Sequence, residues 1–172
     1  MKFEYAVIRA LFYKLKFRKL GFPSKIGKPL KVMKARNVYC GKRVRIMSGF
    51  RIECHNKGTI RIGDDVSIGQ NLHLVSGGDL TIGSHVTLSG NVFVSNLVHS
   101  YEKINVSALK QPHIIKPVTI GDYCFIGYGA CILPGTELGK NVIVGANSVV
   151  SGKFPDYVVV AGVPAKIIKK YN

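Results

Sequence analysis

Aliphatic side chains recur every six residues along most of this chain. From Ile120 the blocks read Ile120-Gly121-Asp122-Tyr123-Cys124-Phe125 and Ile126-Gly127-Tyr128-Gly129-Ala130-Cys131, and further blocks open at Ile132, Leu138, Val144 and Val150. The fifth place is small or apolar (Cys124, Ala130, Thr136, Val142, Ser148), and the second is Gly at Gly121, Gly127, Gly139 and Gly145. A six-residue period fits neither the 3.6 of an amphipathic helix nor the simple alternation of a strand, so it reads as an internal repeat of short strand plus turn. One block cannot bury its apolar face alone. Stacking supplies the core, so the pattern predicts a solenoid with ~4.8 Å between neighbouring strands. Three blocks per coil give about five coils of a triangular prism, although the period alone also allows two blocks per coil.

Upstream the period is less regular. Val38, Val44 and Phe50 are followed by an irregular turn at Glu53 to Gly58, then by Ile62, Ile68 and Leu74; Ile82, Leu88 and Val94 come after a slip around Gly77-Gly78. Between Val94 and Ile120 the pattern breaks, and residues 100–117 are expected to leave the prism as a long loop. Long excursions from a rigid scaffold commonly carry function. After Val150 the period stops at Lys153-Phe154-Pro155, and the apolar tail Val158 to Ile168 is broken at Gly162 and Pro164.

The first twenty residues look different. Phe3, Val7, Ile8, Leu11, Phe12 and Leu15 recur at helical spacing, and Arg9, Lys14, Lys16, Arg18 and Lys19 crowd the end before Gly21. This predicts a basic amphipathic helix. Gly21, Pro23, Gly27 and Pro29 then mark a linker, so residues 1–36 are expected to form helix and linker and residues 37–172 the solenoid with its tail. The helix reads either as a cap packed on the first coil or as an attachment to an anionic membrane surface, and both can hold together.

Composition narrows the partners. The chain has 172 residues, 47% of them hydrophobic, which suits one domain with a real core. Lys and Arg number 25 against 9 Asp and Glu, a formal charge of +16 that favours anionic partners. Aromatic residues are not interleaved with the basic ones in a nucleic-acid motif, so nucleic acid is not expected. Cys40, Cys54, Cys124 and Cys131 contain no C-x-x-C pair and no His at zinc spacing, so no metal is expected; Cys124, at an inward place, reads as a buried thiol. The start of the chain shows neither a secretory pattern nor an uncharged run long enough to span a bilayer. Cytoplasm, with a peripheral position on the inner membrane face, is the expected location.

The repeat, the stretch Ile82 to His99 that ends in a His before the loop, and the closing Ala161-Gly162-Val163-Pro164-Ala165-Lys166 together resemble the hexapeptide-repeat acyltransferases, within them the maltose and galactoside acetyltransferase branch. The resemblance covers about Asn37 to Lys170. It implies an all-β left-handed parallel β-helix with an N-terminal helix, an inserted loop and a short C-terminal tail, homotrimers with active sites between subunits, and acetyl transfer from acetyl-CoA. Parallel crossovers are otherwise overwhelmingly right-handed, so the handedness rests on the resemblance. Residue by residue, His99 matches the family's general base and Asn71 an acceptor contact. Gly127, Tyr128 and Ala146 match positions along the pantetheine arm, and Ser151, Lys166 and Lys169 match the far end of the CoA groove. Lys166 and Lys169 stand where the family often has Arg, keeping the charge without the bidentate fork.

The chemistry fits this set. A sugar hydroxyl is a weak nucleophile at neutral pH, and a histidine can take its proton as it attacks a thioester. A backbone N–H near Gly127 or Tyr128 would steady the oxyanion. Direct transfer needs no acyl-enzyme on Cys124 or Cys131. His55, His73, His85 and His113 read as surface or packing residues, His73 lying two residues beyond Asn71. Asn71 also suits a tight corner, and Lys166 and Lys169 a solvated tail. The expected function is O-acetylation of a sugar in a surface polysaccharide (O-antigen, capsule or exopolysaccharide), on a sugar or lipid-linked glycan acceptor. The alternative is N-acetylation of an amino-sugar nucleotide. A metal hydratase on such a solenoid and a purely structural solenoid or membrane adaptor are the other classes, the former needing three convergent His ligands.

Overall fold

A computed structural model describes residues 3–171; the Met1 start expected for the helix lies outside them. The chain winds as a left-handed parallel β-helix whose three faces are sheets of seven, eight and six strands. The first face stacks Lys19–Leu20, Val38–Cys40, Thr59–Ile62, Asp79–Ile82, Val118–Ile120, Glu137–Leu138 and Lys153–Phe154. The second stacks Lys25–Ile26, Arg45–Ile46, Ser67–Ile68, Thr87–Leu88, Phe125–Ile126, Ile143–Val144 and Val158–Gly162, on which the last strand, Ala165–Lys170, folds back antiparallel. The third holds Lys31–Met33, Arg51–Cys54, His73–Ser76, Phe93–Ser95, Cys131–Ile132 and Val149–Val150.

Strand registers put like on like. Ile26, Ile46, Ile68, Leu88, Ile126, Val144 and Val160 form one unbroken inward column on the second face, all buried. Each added coil covers the apolar end of the one before it, which is why the core is a single cluster running through the prism.

Two sequence-based expectations change in the first coils. Lys19–Leu20, at the end of the stretch expected as helix, and Lys25–Ile26 and Lys31–Met33, in the Gly21 to Lys34 stretch expected as linker, each join a sheet and together make a complete coil. The repeat also sits two residues later than Val38, Val44 and Phe50 suggested, because Cys40, Ile46 and Ile52 are the partners of Ile62, Ile68 and Leu74. Both sets are buried, since strand residues i and i+2 share the inward side.

Corners need backbone in the left-handed region. Between the second and third faces Gly49, Asn71, Asn91, Gly129 and Asn147 take φ of 85°, 57°, 57°, 68° and 54°. Asn tolerates this conformation because its short polar side chain bonds locally.

The helix, Phe3–Lys16, closes the N-terminal end of the prism. Ala6, Ala10 and Tyr13, with Phe17 just past its end, form its buried side, and the Arg9 guanidinium donates to the carbonyl of Ile26 at 3.2 Å. Of the apolar stripe read from helical spacing, Ile8, Leu11, Phe12 and Leu15 are exposed. Two alanines let the helix approach the coil closely, and that selects the other side.

Candidate active site

The insertion is an ordered arm rather than a plain loop. Leu97–His99 and His113–Ile115 pair antiparallel, with Leu97 opposite Ile115 and His99 opposite His113. Its root is a polar lock around the buried Asn96. The Asn96 side chain accepts from the Gly77 N–H at 2.8 Å, and its backbone carbonyl accepts from the Lys116 N–H at 3.0 Å. The slip at Gly77-Gly78 is the seat of this arm. A Cβ on Gly77 would lie 2.4 Å from Leu97 Cδ1, and one on Gly78 2.8 Å from Ile115 Cγ2. Further out, the buried Gln111 donates to the carbonyls of Lys103 and Val106 at 3.1 and 2.9 Å, which holds the tip together while Tyr101, Ile104 and Leu109 stay exposed.

His99 stands half-buried at the root of the arm. Its Nδ1 is sealed from solvent and has no hydrogen-bond partner among the described residues. The His113 ring lies 4.4 Å away, and the His55 ring 6.4 Å from His113, so three imidazoles gather where the third-face strands end. The sequence alone reads His55 and His113 as surface or packing residues; cross-strand register is what joins His113 to His99.

Asn71 lies at the opposite end of the same face. It turns the corner before His73–Ser76, and its side-chain amide donates to Asn91 Oδ1 at 3.0 Å. Asn91 in turn donates to the hydroxyl of Tyr128. Tyr128 thus closes a three-coil ladder that begins at Asn71. Ala146 is exposed one coil beyond Tyr128, whose carbonyl accepts from the Asn147 N–H at 2.8 Å. Gly127 is demanded by coil stacking: a Cβ there would lie 2.6 Å from the Ala146 nitrogen, and its own N–H donates to Val144 at 2.9 Å. Lys166, opposite Ala161, and Lys169, opposite Val159, are exposed on the antiparallel last strand. Ser151 sits elsewhere, at the end of the third face.

The candidate residues therefore fall into two groups. Asn71, Gly127, Tyr128 and Ala146 line one corner, and Lys166 and Lys169 stand on the last strand of the second face, which leads to that corner; His99 and Ser151 lie toward the other end of the third face. Five or so residues of extended chain put these ends on the order of 15 Å apart. Between them the outward side carries a charged cluster not foreseen from the sequence. Glu53, only 7% exposed, accepts from Lys31 Nζ at 2.8 Å and Arg51 Nη2 at 3.0 Å, and lies 3.1 Å from His73 Nε2. The Lys31 hydrogen bond leads in pulling the Glu53 carboxyl down to about 2, with His73 and Arg51 acting the same way against burial. His73 itself is held below its ordinary value chiefly by burial, its ring edge-on to Phe93 at 5.3 Å.

The thiols are placed as packing residues. Cys124 donates to the Gly139 carbonyl at 3.1 Å, and burial pushes its pKa up to about 11. Burial likewise raises Cys40 to about 12 and Cys54 to about 11, so these three stay protonated at neutral pH.

Residues 117–151 match the family described as the hexapeptide repeat of succinyl-transferase. WbbJ of Escherichia coli (strain K12), named as a lipopolysaccharide biosynthesis O-acetyl transferase, is 37% identical over 72% of this chain and 67% of its own length. The chain belongs to the hexapeptide-repeat acyltransferases. Within that family, a galactoside acetyltransferase solved in complex with coenzyme A superimposes with a TM-score of 0.67 at 25% identity, covering 95% of this chain and 70% of that one. AntD, an N-acyltransferase from Bacillus cereus solved with dTDP and 3-hydroxybutyryl-CoA, shares the fold, with a TM-score of 0.81 at 20% identity over 95% and 88% of the two chains. The chain spans 43% to 67% of the length of several other named relatives and WbbJ.

Proposed function

We propose that this hexapeptide-repeat acyltransferase transfers acetyl from acetyl-CoA to a sugar hydroxyl during assembly of a surface polysaccharide. His99 carries the reading: it is a half-buried imidazole at the root of the ordered arm, with Nδ1 enclosed. In this role neutral His99 accepts the hydroxyl proton as the sugar oxygen attacks the thioester carbonyl. The tetrahedral oxyanion then collapses, the C–S bond breaks, and the proton passes from His99 to the departing thiolate. Since the Gly127 N–H is already engaged by Val144, the oxyanion contact falls to Tyr128 N–H.

A single chain separates base from acceptor contact. We infer a homotrimer in which the arm of one subunit brings His99 to the Asn71, Tyr128 and Ala146 corner of the next. The exposed Tyr101, Ile104 and Leu109 at the arm tip supply apolar surface for that contact. Gly127, Tyr128 and Ala146 then border the pantetheine arm, while Lys166 and Lys169 of that subunit, with Ser151 of the subunit that supplies His99, meet the phosphates and adenosine end. The acceptor is a cytoplasmic sugar or a lipid-linked glycan at the inner membrane face.

The test is CoA release from acetyl-CoA against a panel of sugars, amino-sugar nucleotides and lipid-linked oligosaccharides. An ester product, cleaved by hydroxylamine, is expected. A hydroxylamine-stable amide formed only on amino-sugar nucleotides would replace this reading with N-acetylation.

A further inference from the structure

The outer side of the N-terminal helix is apolar and uncovered. Ile8, Leu11, Phe12 and Leu15 are exposed by 62%, 52%, 51% and 74%, and they lie opposite the buried Ala6, Ala10, Tyr13 and Phe17. At about 3.6 residues per turn, Lys14 falls on one flank of this ridge and Lys16 on the other. The Lys16 ammonium lies 4.5 Å from the Phe12 ring centroid. Phe22 extends the ridge onto the first coil, sharing a shallow groove with Leu11 and Lys14. Arg18 and Lys19 continue the basic border, both exposed.

We propose that this ridge docks on a bilayer containing anionic lipid, with Ile8, Leu11, Phe12, Leu15 and Phe22 entering the headgroup boundary and Lys14, Lys16, Arg18 and Lys19 meeting lipid phosphates. The arrangement is that of an interfacial helix: an apolar side, with long basic side chains on its flanks able to reach up to the polar layer. Charge decides between occupants. The sequence holds no Asp or Glu between Glu4 and Glu53, so a second copy of this face would set like charges against each other, whereas an anionic bilayer meets both the ridge and its border. No helix among the described residues is long and apolar enough to cross a membrane, which fits a helix lying in the surface plane. Docking deepens the lipid-linked acceptor reading but rests on the helix surface alone.

Co-sedimentation with vesicles of phosphatidylcholine and of phosphatidylcholine with phosphatidylglycerol tests it, without acyl donor or acceptor present. The full chain is expected to bind the anionic vesicles at low salt, to bind neutral ones at least tenfold less, and to be largely released by high salt. With each basic residue near the surface worth about fivefold in partitioning, Lys14, Lys16, Arg18 and Lys19 all changed to Gln should weaken binding by roughly several hundredfold. Arg9 is left in place because it holds the helix to Ile26. A second variant, Ile8→Gln, Phe12→Gln and Leu15→Gln, should lose the binding that survives at high salt. Circular dichroism and acetylation of a soluble acceptor, both unchanged, would show that either variant is folded. Full-length protein left in the supernatant with anionic vesicles would overturn the proposal, as would binding undiminished in the Ile8, Phe12 and Leu15 variant. So would loss of oligomer in that variant without vesicle binding by the parent, which would assign the ridge to a second copy.

Discussion

Glu53→Gln isolates the charged cluster on the third face. The carboxylate is nearly enclosed, and its displacement from the ordinary 4.5 to about 2 sets a ceiling of about 3 kcal/mol on what its ionised form adds to folding. Lys31 and Arg51 have side chains 49% and 44% exposed, so solvent screening lowers the expected value to about 1–2 kcal/mol. The direction follows from the folded carboxyl being the stronger acid. Its stabilisation is fully present above the unfolded pKa and is lost as pH falls from 4.5 towards about 2. Gln keeps the shape and one acceptor oxygen while removing the charge. Urea unfolding followed by circular dichroism should therefore show Glu53→Gln less stable at pH 7 by about 1–2 kcal/mol, with more than half of the gap to the native chain gone at pH 3. A gap of equal size at both pH values, or none at pH 7, would refute the reasoning.

Asn71 has a corner role and a proposed acceptor role that separate by substitution. Asn71→Ala should cost about 1 kcal/mol, through strain at positive φ and loss of the Asn91 bond, and Asn71→Gly less, by thermal melting; if Asn71 also contacts the acceptor, both variants raise the acceptor KM alike. Lys166→Ala with Lys169→Ala should raise KM for acetyl-CoA, and high salt should mimic the change in the native enzyme. The sharper readout uses a dephospho-CoA thioester: a double variant that still discriminates against it as strongly as the native enzyme would remove these lysines from phosphate recognition.

The six-residue period was enough to name the inward residues from Ile62 onward, because every coil must bury the same small set of positions, but not to choose three blocks per coil over two. It failed in the first coil for a physical reason. Leu20, Ile26 and Val32 are six apart there too, but Pro23 and Pro29 read as linker residues, and corners are the places where a missing ladder N–H does no harm. The arm was legible only as a break. Its strands are three residues each, and the pairing of His99 with His113 depends on a register fixed from outside, by Asn96 and the Gly77-Gly78 seat. Helical spacing found the apolar stripe of the N-terminal helix but left its neighbour open between coil and membrane, and a second face bearing two alanines is the one that packs on the coil. The Glu53 cluster gave no sequence signal because Lys31, Glu53 and His73 come together only when successive coils stack.

The role of His99 is tested most directly by single-turnover acetyl transfer in His99→Ala, measured beside calorimetric titration with acetyl-CoA. Turnover should fall by about 10²- to 10⁴-fold with acetyl-CoA affinity nearly unchanged, because the residue stands on the arm and outside the stacked coils. A variant that retains half the native rate, or one that loses acetyl-CoA binding in proportion to its rate, would contradict general-base catalysis by His99.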